Sequence, residues 1–365
     1  MSPDLLYQIA LTHIPNIGSV QAKLLIEKFG TAENIFKAKE KALSTIENIG
    51  PVRAANIKSF ENFNDAEEEI KFIEKFKITP LFITDENYPK RILHCFDAPT
   101  ILYYRGNADL NSAKIISIIG TRNNTDYGKQ LTEKIVADLQ EQNVLIVSGL
   151  AFGIDVIAHK AALQNNMPTI AVLAHGLDSI YPNQHKSFAK EMIQNGGLLT
   201  EFSRNTKPDK HNFPKRNRIV AAISDATIVV ETALKGGSMI TAELSYNYNR
   251  DLFAFPGKVN DSKSAGCNFL IKTGKAHLIS NAQDVIEKLG WEKKKAKAKI
   301  QKELFIELSP DEKIIVSVLK EKQSTHIDEI YFKSNLSSSA VASAILNLEL
   351  QNIITGLPGK MYALN

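Results

Sequence analysis

The chain has 365 residues, of which 44% are hydrophobic, and a formal net charge of +4. That length leaves room for two or three domains, and that apolar fraction excludes wholesale disorder. The small net charge says little about partners, so local concentrations of charge carry more weight. No run reaches the ~18 apolar residues of a membrane helix, and the N-terminus shows no basic leader or cleavage-type site, so a cytoplasmic protein with no membrane partner is expected. Cys95 and Cys267 stand far apart and form no metal-type pair, which suits free thiols in a reducing compartment.

Residues 1–65 read as a small helical domain containing a weak repeat. Ile14-Pro-Asn-Ile-Gly18 precedes one helical pattern and Ile46-Glu-Asn-Ile-Gly50 precedes another, 32 residues later. This arrangement resembles a duplicated helix-hairpin-helix motif, in which glycine permits the tight turn and the following helix offers free N–H groups to a phosphate. A plain helix turn in a packing domain accounts for the same pattern, because few cations lie near the first turn.

Residues 66–290 read as one α/β domain. After a short strand at 78–83 and a second leading inward over 99–105, the pattern becomes strand and helix in alternation. Apolar runs at 115–119, 144–147, 169–173, 198–200, 227–231 and 252–255 are separated by helical patterns, the first of them (127–139) with Asp126 as its expected N-cap. Continuous apolar strands between helices predict an extended, Rossmann-like, doubly wound parallel sheet covered on both faces. Residues 291–303 form a lysine-rich linker containing EKKKAKAKIQK, and 304–365 read as three helices and a hairpin, a winged-helix pattern. The candidate recognition helix, 338–351, contains no Lys or Arg, which points to protein interaction rather than DNA reading.

Ligands of a parallel sheet bind beyond the carboxyl ends of its strands. There the sequence places Gly120-Thr121-Arg122, Ser148-Gly149, His175-Gly176, the run from Glu231 to Ser238 with Gly236-Gly237, and Pro256-Gly257-Lys258. The same edge receives a basic stretch, 203–218, in which Arg204, Lys207, Lys210, Lys215, Arg216 and Arg218 face a single acid, Asp209, with Phe213 among them. Glycines let backbone N–H groups approach an anion, arginine grips phosphate in bidentate fashion, and a ring can stack a base. Each feature also has a plainer role: glycine after a strand is ordinary turn chemistry, Phe213 before Pro214 can anchor a loop, and Arg216 or Arg218 can pair with Glu231 or Asp225. The sequence lacks G-x-G-x-x-G after the first strand, a P-loop, H-E-x-x-H and G-x-S-x-G, so no cofactor, metal or catalytic residue is expected.

Six motifs in order carry a more specific signal: Ile118-Ile-Gly-Thr-Arg122, the run from Ser148 to Asp155 followed by Ala158-His159, Gly176-Leu-Asp-Ser-Ile-Tyr-Pro182, Phe213-Pro-Lys-Arg-Asn-Arg218, Gly237-Ser-Met-Ile-Thr-Ala242, and Phe255-Pro-Gly257 with 266–271. Together they resemble the DNA-processing protein A family (DprA, also called Smf) over about 115–280, and the flanking modules agree with its architectures. The resemblance implies a non-enzymatic recombination mediator that binds single-stranded DNA, forms a homodimer and loads RecA recombinase during natural transformation. Carried onto matching positions, it gives Arg122 and Lys210 phosphate contacts and Phe213 a base. Arg216 and Arg218 support that loop, and Gly120, Thr121, Ser148, Gly149, Asn217, Gly236, Gly237 and Ser238 complete the expected DNA-binding set. Phe152 stands where the family often has a basic or small residue, and Lys235-Gly236-Gly237 departs from its usual Ser-Gly-Ser. A second resemblance, of Gly236-Gly237 with Thr241 and Glu243 to the Pro-Gly-Gly-x-Gly-Thr-x-x-Glu signature of nucleoside-monophosphate phosphoribohydrolases, implies an enzyme instead. There Lys235 replaces the first Pro and Met239 the third Gly.

Overall fold

A computed structural model describes residues 4–292 and 308–365, so most of the lysine-rich linker lies outside the described residues. The chain separates into two compact units, 1–292 and 293–365.

In the first unit, helices Leu5–His13, Ser19–Phe29, Ala32–Lys37, Glu40–Ser44 and Gly50–Lys58 enclose Tyr7, Phe36, Phe60 and Phe63, whose rings pack at 5.4–6.0 Å between centroids. The repeat seen in sequence is a structural repeat, but its two turns differ. The asparagine before each Ile-Gly takes the left-handed conformation, Asn16 at φ 64° and Asn48 at φ 65°; in the second copy Gly50 is left-handed too, at φ 65°, as a glycine turn requires, whereas Gly18 in the first lies at an ordinary φ of −95°. Asparagine tolerates this region because its short polar side chain bonds locally. Arg53 joins the two turns, donating from Nε to the Asn16 carbonyl (2.8 Å) and from Nη1 to that of Asn48 (3.2 Å).

Helix Asn64–Phe76 leads into a nine-stranded sheet: β1 Thr79–Phe82, β2 Ile101–Gly106, β3 Ile115–Ile119, β4 Leu145–Ser148, β5 Thr169–Val172, β6 Gly196–Thr200, β7 Ala226–Val229, β8 Asp251–Ala254 and β9 His277–Leu278. Their order is β1-β2-β6-β5-β4-β3-β7-β8-β9. From β6 to β9 every pairing is parallel; β1 and β2 add an antiparallel edge. Ile115 and Ile119 enter one core while Ile116 and Ile118 enter the other, the period-two signature of a sheet buried on both faces. β6 begins two residues earlier than its apolar run suggests. Gly196, at φ 139°, lies so close to Thr169 that a Cβ would sit 1.9 Å from its carbonyl oxygen, so a glycine is required inside the strand. The first crossover helix, Asp126–Asp138, is capped by Thr125 and not by Asp126: Thr125 is extended and its Oγ1 accepts the Gly128 N–H (3.1 Å), while Asp126 is already helical.

The second unit contains helices Pro310–Leu319, Ile327–Ser334 and Ser338–Leu350 and a sheet ordered β10-β12-β11, formed by β10 Thr325–His326, β11 Ile354–Leu357 and β12 Met361–Leu364. This is the expected winged-helix arrangement plus a two-residue strand too short to show a sequence pattern. The last helix buries Val341, Ala344, Ile345 and Leu348 and exposes Leu346 and Leu350. Among the described residues no helix is long and apolar enough to cross a membrane.

Candidate nucleic-acid interface

The strand order reverses at β3. The chain moves outward from it to β4 on one side, and later returns to β7 on the other, which opens a crevice between the turns after β3 and β7. A cleft of about 390 Å³ occupies that crevice. Gly120, Thr121 and Arg122 form one wall and Thr232, Ala233 and Lys235 to Ser238 another, with the turn after β4 and the start of helix Asn212–Ile223 closing it. The β3 turn is stitched to its neighbours through backbone. Thr121 donates its N–H to the Glu231 carbonyl (2.7 Å) and accepts from Ile154 N (3.2 Å). A Cβ at Gly120 would come 2.4 Å from Ile154, which holds the following helix tight against the turn.

Helix Asn212–Ile223 begins inside the basic stretch, so Phe213 stands on its first turn, where Pro214 is tolerated because that N–H has no partner in the helix. Phe213, Arg216, Asn217 and Val220, at i, i+3, i+4 and i+7, all line the cleft. Arg218 is two residues from Arg216, hence about 200° around the helix. Its guanidinium binds the Asp97 carbonyl and the Glu201 carboxylate, and it does not line the cleft. The sequence expectation that an arginine here pairs with Glu231 or Asp225 is not met. Glu231 accepts the Thr125 N–H and hydroxyl (both 2.8 Å), and Asp225 pairs with Arg91 at 2.7 Å.

Arg216 is buried at the floor. Its Nη1 donates to the carbonyls of Gly149 and Val172 (2.6 Å to the latter) and its Nε to Asn217 Oδ1 (3.0 Å). Burial lowers the guanidinium pKa to about 10, with Asp155 opposing that shift, so it remains charged at neutral pH. Asp155 is buried beside it, its pKa raised by desolvation and pulled back by Arg216 and by the backbone N–H groups of Ala151 and Gly149. A Cβ at Gly149 would meet the guanidinium at 2.3 Å, so this glycine makes space for the arginine and not for a ligand. Ser148, fully buried, donates its hydroxyl to the Ile118 carbonyl (2.6 Å). Asn217 reaches the Gly237 carbonyl from Nδ2 (3.3 Å) and Ser238 Oγ bonds Thr232 Oγ1 (2.7 Å), fixing the far wall.

At the mouth the exposed Arg122 places its guanidinium 5.2 Å from the centre of the half-buried Phe213 ring, with Arg216 on the same ring at 6.0 Å and the Tyr181 ring 6.2 Å away. Exposed Phe152 packs edge-on to His185 at 5.0 Å near this mouth and lines its rim with Tyr181. Gly236 and Gly237 have no side-chain contact within 3.9 Å of a would-be Cβ and leave that rim open. Six cations close in sequence thus disperse. Arg204 lies near Glu68 and Glu69 (3.7 and 3.9 Å), Arg216 is buried, Arg218 is turned away, and Lys207, Lys210 and Lys215 stand exposed outside the cleft. Asp155, Thr232, Lys235 and Tyr181 line the cleft or its rim; the sequence motifs contain them, but none was among the expected DNA-binding residues. Glu243 faces a different groove with both oxygens on Lys275 Nζ (2.8 and 2.7 Å), apart from the cleft that the phosphoribohydrolase resemblance needs it to serve.

Residues 79–290 match the family described as DNA recombination-mediator protein A. The chain belongs to that family. Residues 9–70 match the helix-hairpin-helix motif and 304–360 the DprA winged helix domain, so the three expected modules are all present. The chain is similar to Protein Smf of Synechocystis sp., with 31% identity over 393 aligned positions and 98% of each chain covered. It is also similar to DNA processing protein DprA of Streptococcus pneumoniae, with 40% identity across 58% of this chain and 75% of that one. In structure it resembles Streptococcus pneumoniae DprA (TM-score 0.68, 32% identity, 77% of this chain and 97% of that chain covered). The match to Helicobacter pylori DNA processing protein A, a protein described for its single-stranded DNA binding mode, has a TM-score of 0.54 at 37% identity, over 59% of this chain and 97% of that one. Family membership and fold thus agree with the resemblance drawn from the six motifs.

Proposed function

We propose that this DprA-family chain binds single-stranded DNA at the cleft beside β3 and β7, without catalysing a reaction, and acts as a recombination mediator that protects incoming strands and loads RecA during natural transformation. The observation that carries the reading is the pairing of exposed Arg122 with the Phe213 ring at 5.2 Å above a buried, charged Arg216. A phosphate meets Arg122, a base meets the ring, and the dry guanidinium below adds fixed positive potential. A stacked duplex cannot offer its base face to Phe213, so a single strand is the ligand. Lys210 and the neighbouring exposed lysines meet the backbone as it leaves the cleft. RecA is the partner that the family resemblance supplies. Homodimerisation is supported by exposed Leu234, Ile240 and Phe269, which line one open groove together.

The test is fluorescence polarisation of labelled oligo-dT with the full chain at several salt concentrations. Arg122→Glu is expected to weaken binding more than tenfold and to flatten the dependence of log K on log salt. Unchanged affinity would reject the site.

A further inference from the structure

A second cavity, of about 410 Å³, opens between helix Asn64–Phe76 and helix Lys186–Gln194, apart from the cleft. Its walls are apolar: Phe72 and Phe76, packed ring to ring at 4.7 Å, with Leu177, Ile180 and Ile193. Its charged lining is one-sided. Arg105, Lys186 and Lys190 stand there against a single acid, Asp178, and Arg105 lies over the Phe76 ring at 5.7 Å. Lys186 and Lys190 are one helical turn apart and exposed, so their stems cover apolar wall while both ammonium groups meet water at the rim. The volume is that of a small-molecule pocket, and the combination of an apolar body with cationic edges complements a ligand having an apolar tail and one anionic head. A nucleotide suits it less, because the walls carry seven apolar side chains and the two lining aromatic rings pack against each other.

The first helix and the loop that leads into the second hold the basic stretch. Glu69, on the helix of Phe72 and Phe76, accepts the Arg204 N–H at 2.9 Å, and Asp178 accepts the Asn205 N–H at 3.0 Å. Any ligand that draws these walls together acts on residues 204 and 205 through two hydrogen bonds.

We propose that this groove is a binding site for an amphiphilic carboxylate, and that its occupancy is transmitted to the basic stretch through Glu69 and Asp178. The proposal does not depend on the DNA reading of the cleft.

The probe is decanoate below its micellar concentration, titrated calorimetrically into the full chain. Saturable one-site binding is expected, at least tenfold weaker for Lys186→Glu/Lys190→Glu, whose exposed positions leave the fold intact, and unchanged for Arg122→Glu. Decanol, with the same tail and no charge, is expected to bind at least tenfold more weakly than decanoate. Decanoate is expected to slow hydrogen exchange at the Arg204 and Asn205 amides. Non-saturable uptake, equal affinity for decanol, or unaltered exchange at those amides would each overturn the proposal. So would a double variant that loses oligo-dT affinity and keeps decanoate, since the groove would then belong to the path of a nucleic-acid strand.

Discussion

Arg216 tests whether the floor of the cleft is scaffold or ligand-contacting surface. Replacing it with methionine keeps the length of the stem and removes three donated hydrogen bonds, to Gly149, Val172 and Asn217. It also strands Asp155, buried to 8% exposure, next to an apolar side chain. Removing the opposite charge that compensates a buried carboxylate costs about 3–5 kcal/mol, because the remaining charge is left unbalanced. In a unit of this size that lowers Tm by roughly 6–20 °C. The loss is predicted to ease as pH falls, since a carboxyl whose pKa is raised by burial becomes neutral on protonation and no longer needs a partner. Arg216→Met/Asp155→Asn is therefore expected to recover most of the stability, giving a coupling energy of about 2–3 kcal/mol in the double-mutant cycle. Scanning calorimetry of wild type, both single variants and the double variant at pH 8 and pH 6 measures each quantity. A methionine variant within 1 kcal/mol of wild type at pH 8 that nevertheless loses oligo-dT binding would refute the reasoning and make Arg216 a direct ligand contact.

Three further outcomes follow from the geometry. Phe213→Ala should cost oligo-dT binding about 1–3 kcal/mol, roughly fivefold to 150-fold, with an unchanged salt slope; a slope altered as by Arg122→Glu would contradict a stacking role. Burial lifts the Glu69 carboxyl from 4.5 to about 7, so the folded chain holds a proton that the unfolded chain has released. That contribution is complete below about pH 4.5 and is lost as pH rises towards 7, by up to ~3 kcal/mol. Urea denaturation between pH 5 and 8 should show this decline in wild type and a flatter profile for Glu69→Gln. Arg53→Ala removes one of two side-chain links between the helical hairpins, leaving Asn56 on the Pro15 carbonyl, and should cost about 1–3 kcal/mol by urea denaturation; a change under 0.5 kcal/mol would show the Arg53 link to be dispensable.

The parts legible in sequence were those set by burial. Every parallel strand except the two-residue β9 coincided with an apolar run, because a sheet covered on both faces needs apolar residues at successive positions. The carboxyl-edge turns followed from that sheet, and Gly120, Thr121, Arg122, Phe213, Arg216, Asn217 and Gly236 to Ser238 do converge on one cleft. What composition could not reveal was direction. Arg216 and Arg218 look equivalent on paper, yet about 200° of helix rotation separates a cleft floor from a pair with Glu201. The family resemblance gives Lys210 a phosphate contact, and the fold leaves it outside the cleft. Gly149 suggested room for an anion, and that room is filled by the protein's own guanidinium. Asp155 was hidden because its role is to balance a charge that becomes buried only in three dimensions.

The duplicated hairpin carries a record of divergence. Thirty-two residues before Arg53, at the matching place in the first copy, stands Gln21. Gln21 spends its side-chain oxygen at home, accepting the Gly18 N–H at 3.2 Å, whereas Arg53 reaches out of its own copy to grasp the turn of the other. One copy has become self-contained at this position and the other has become the latch. The pair is therefore no longer two interchangeable halves: trading the segments would put a short amide where a long cation must span both turns, and the order in which the copies occur along the chain has become part of what the fold requires.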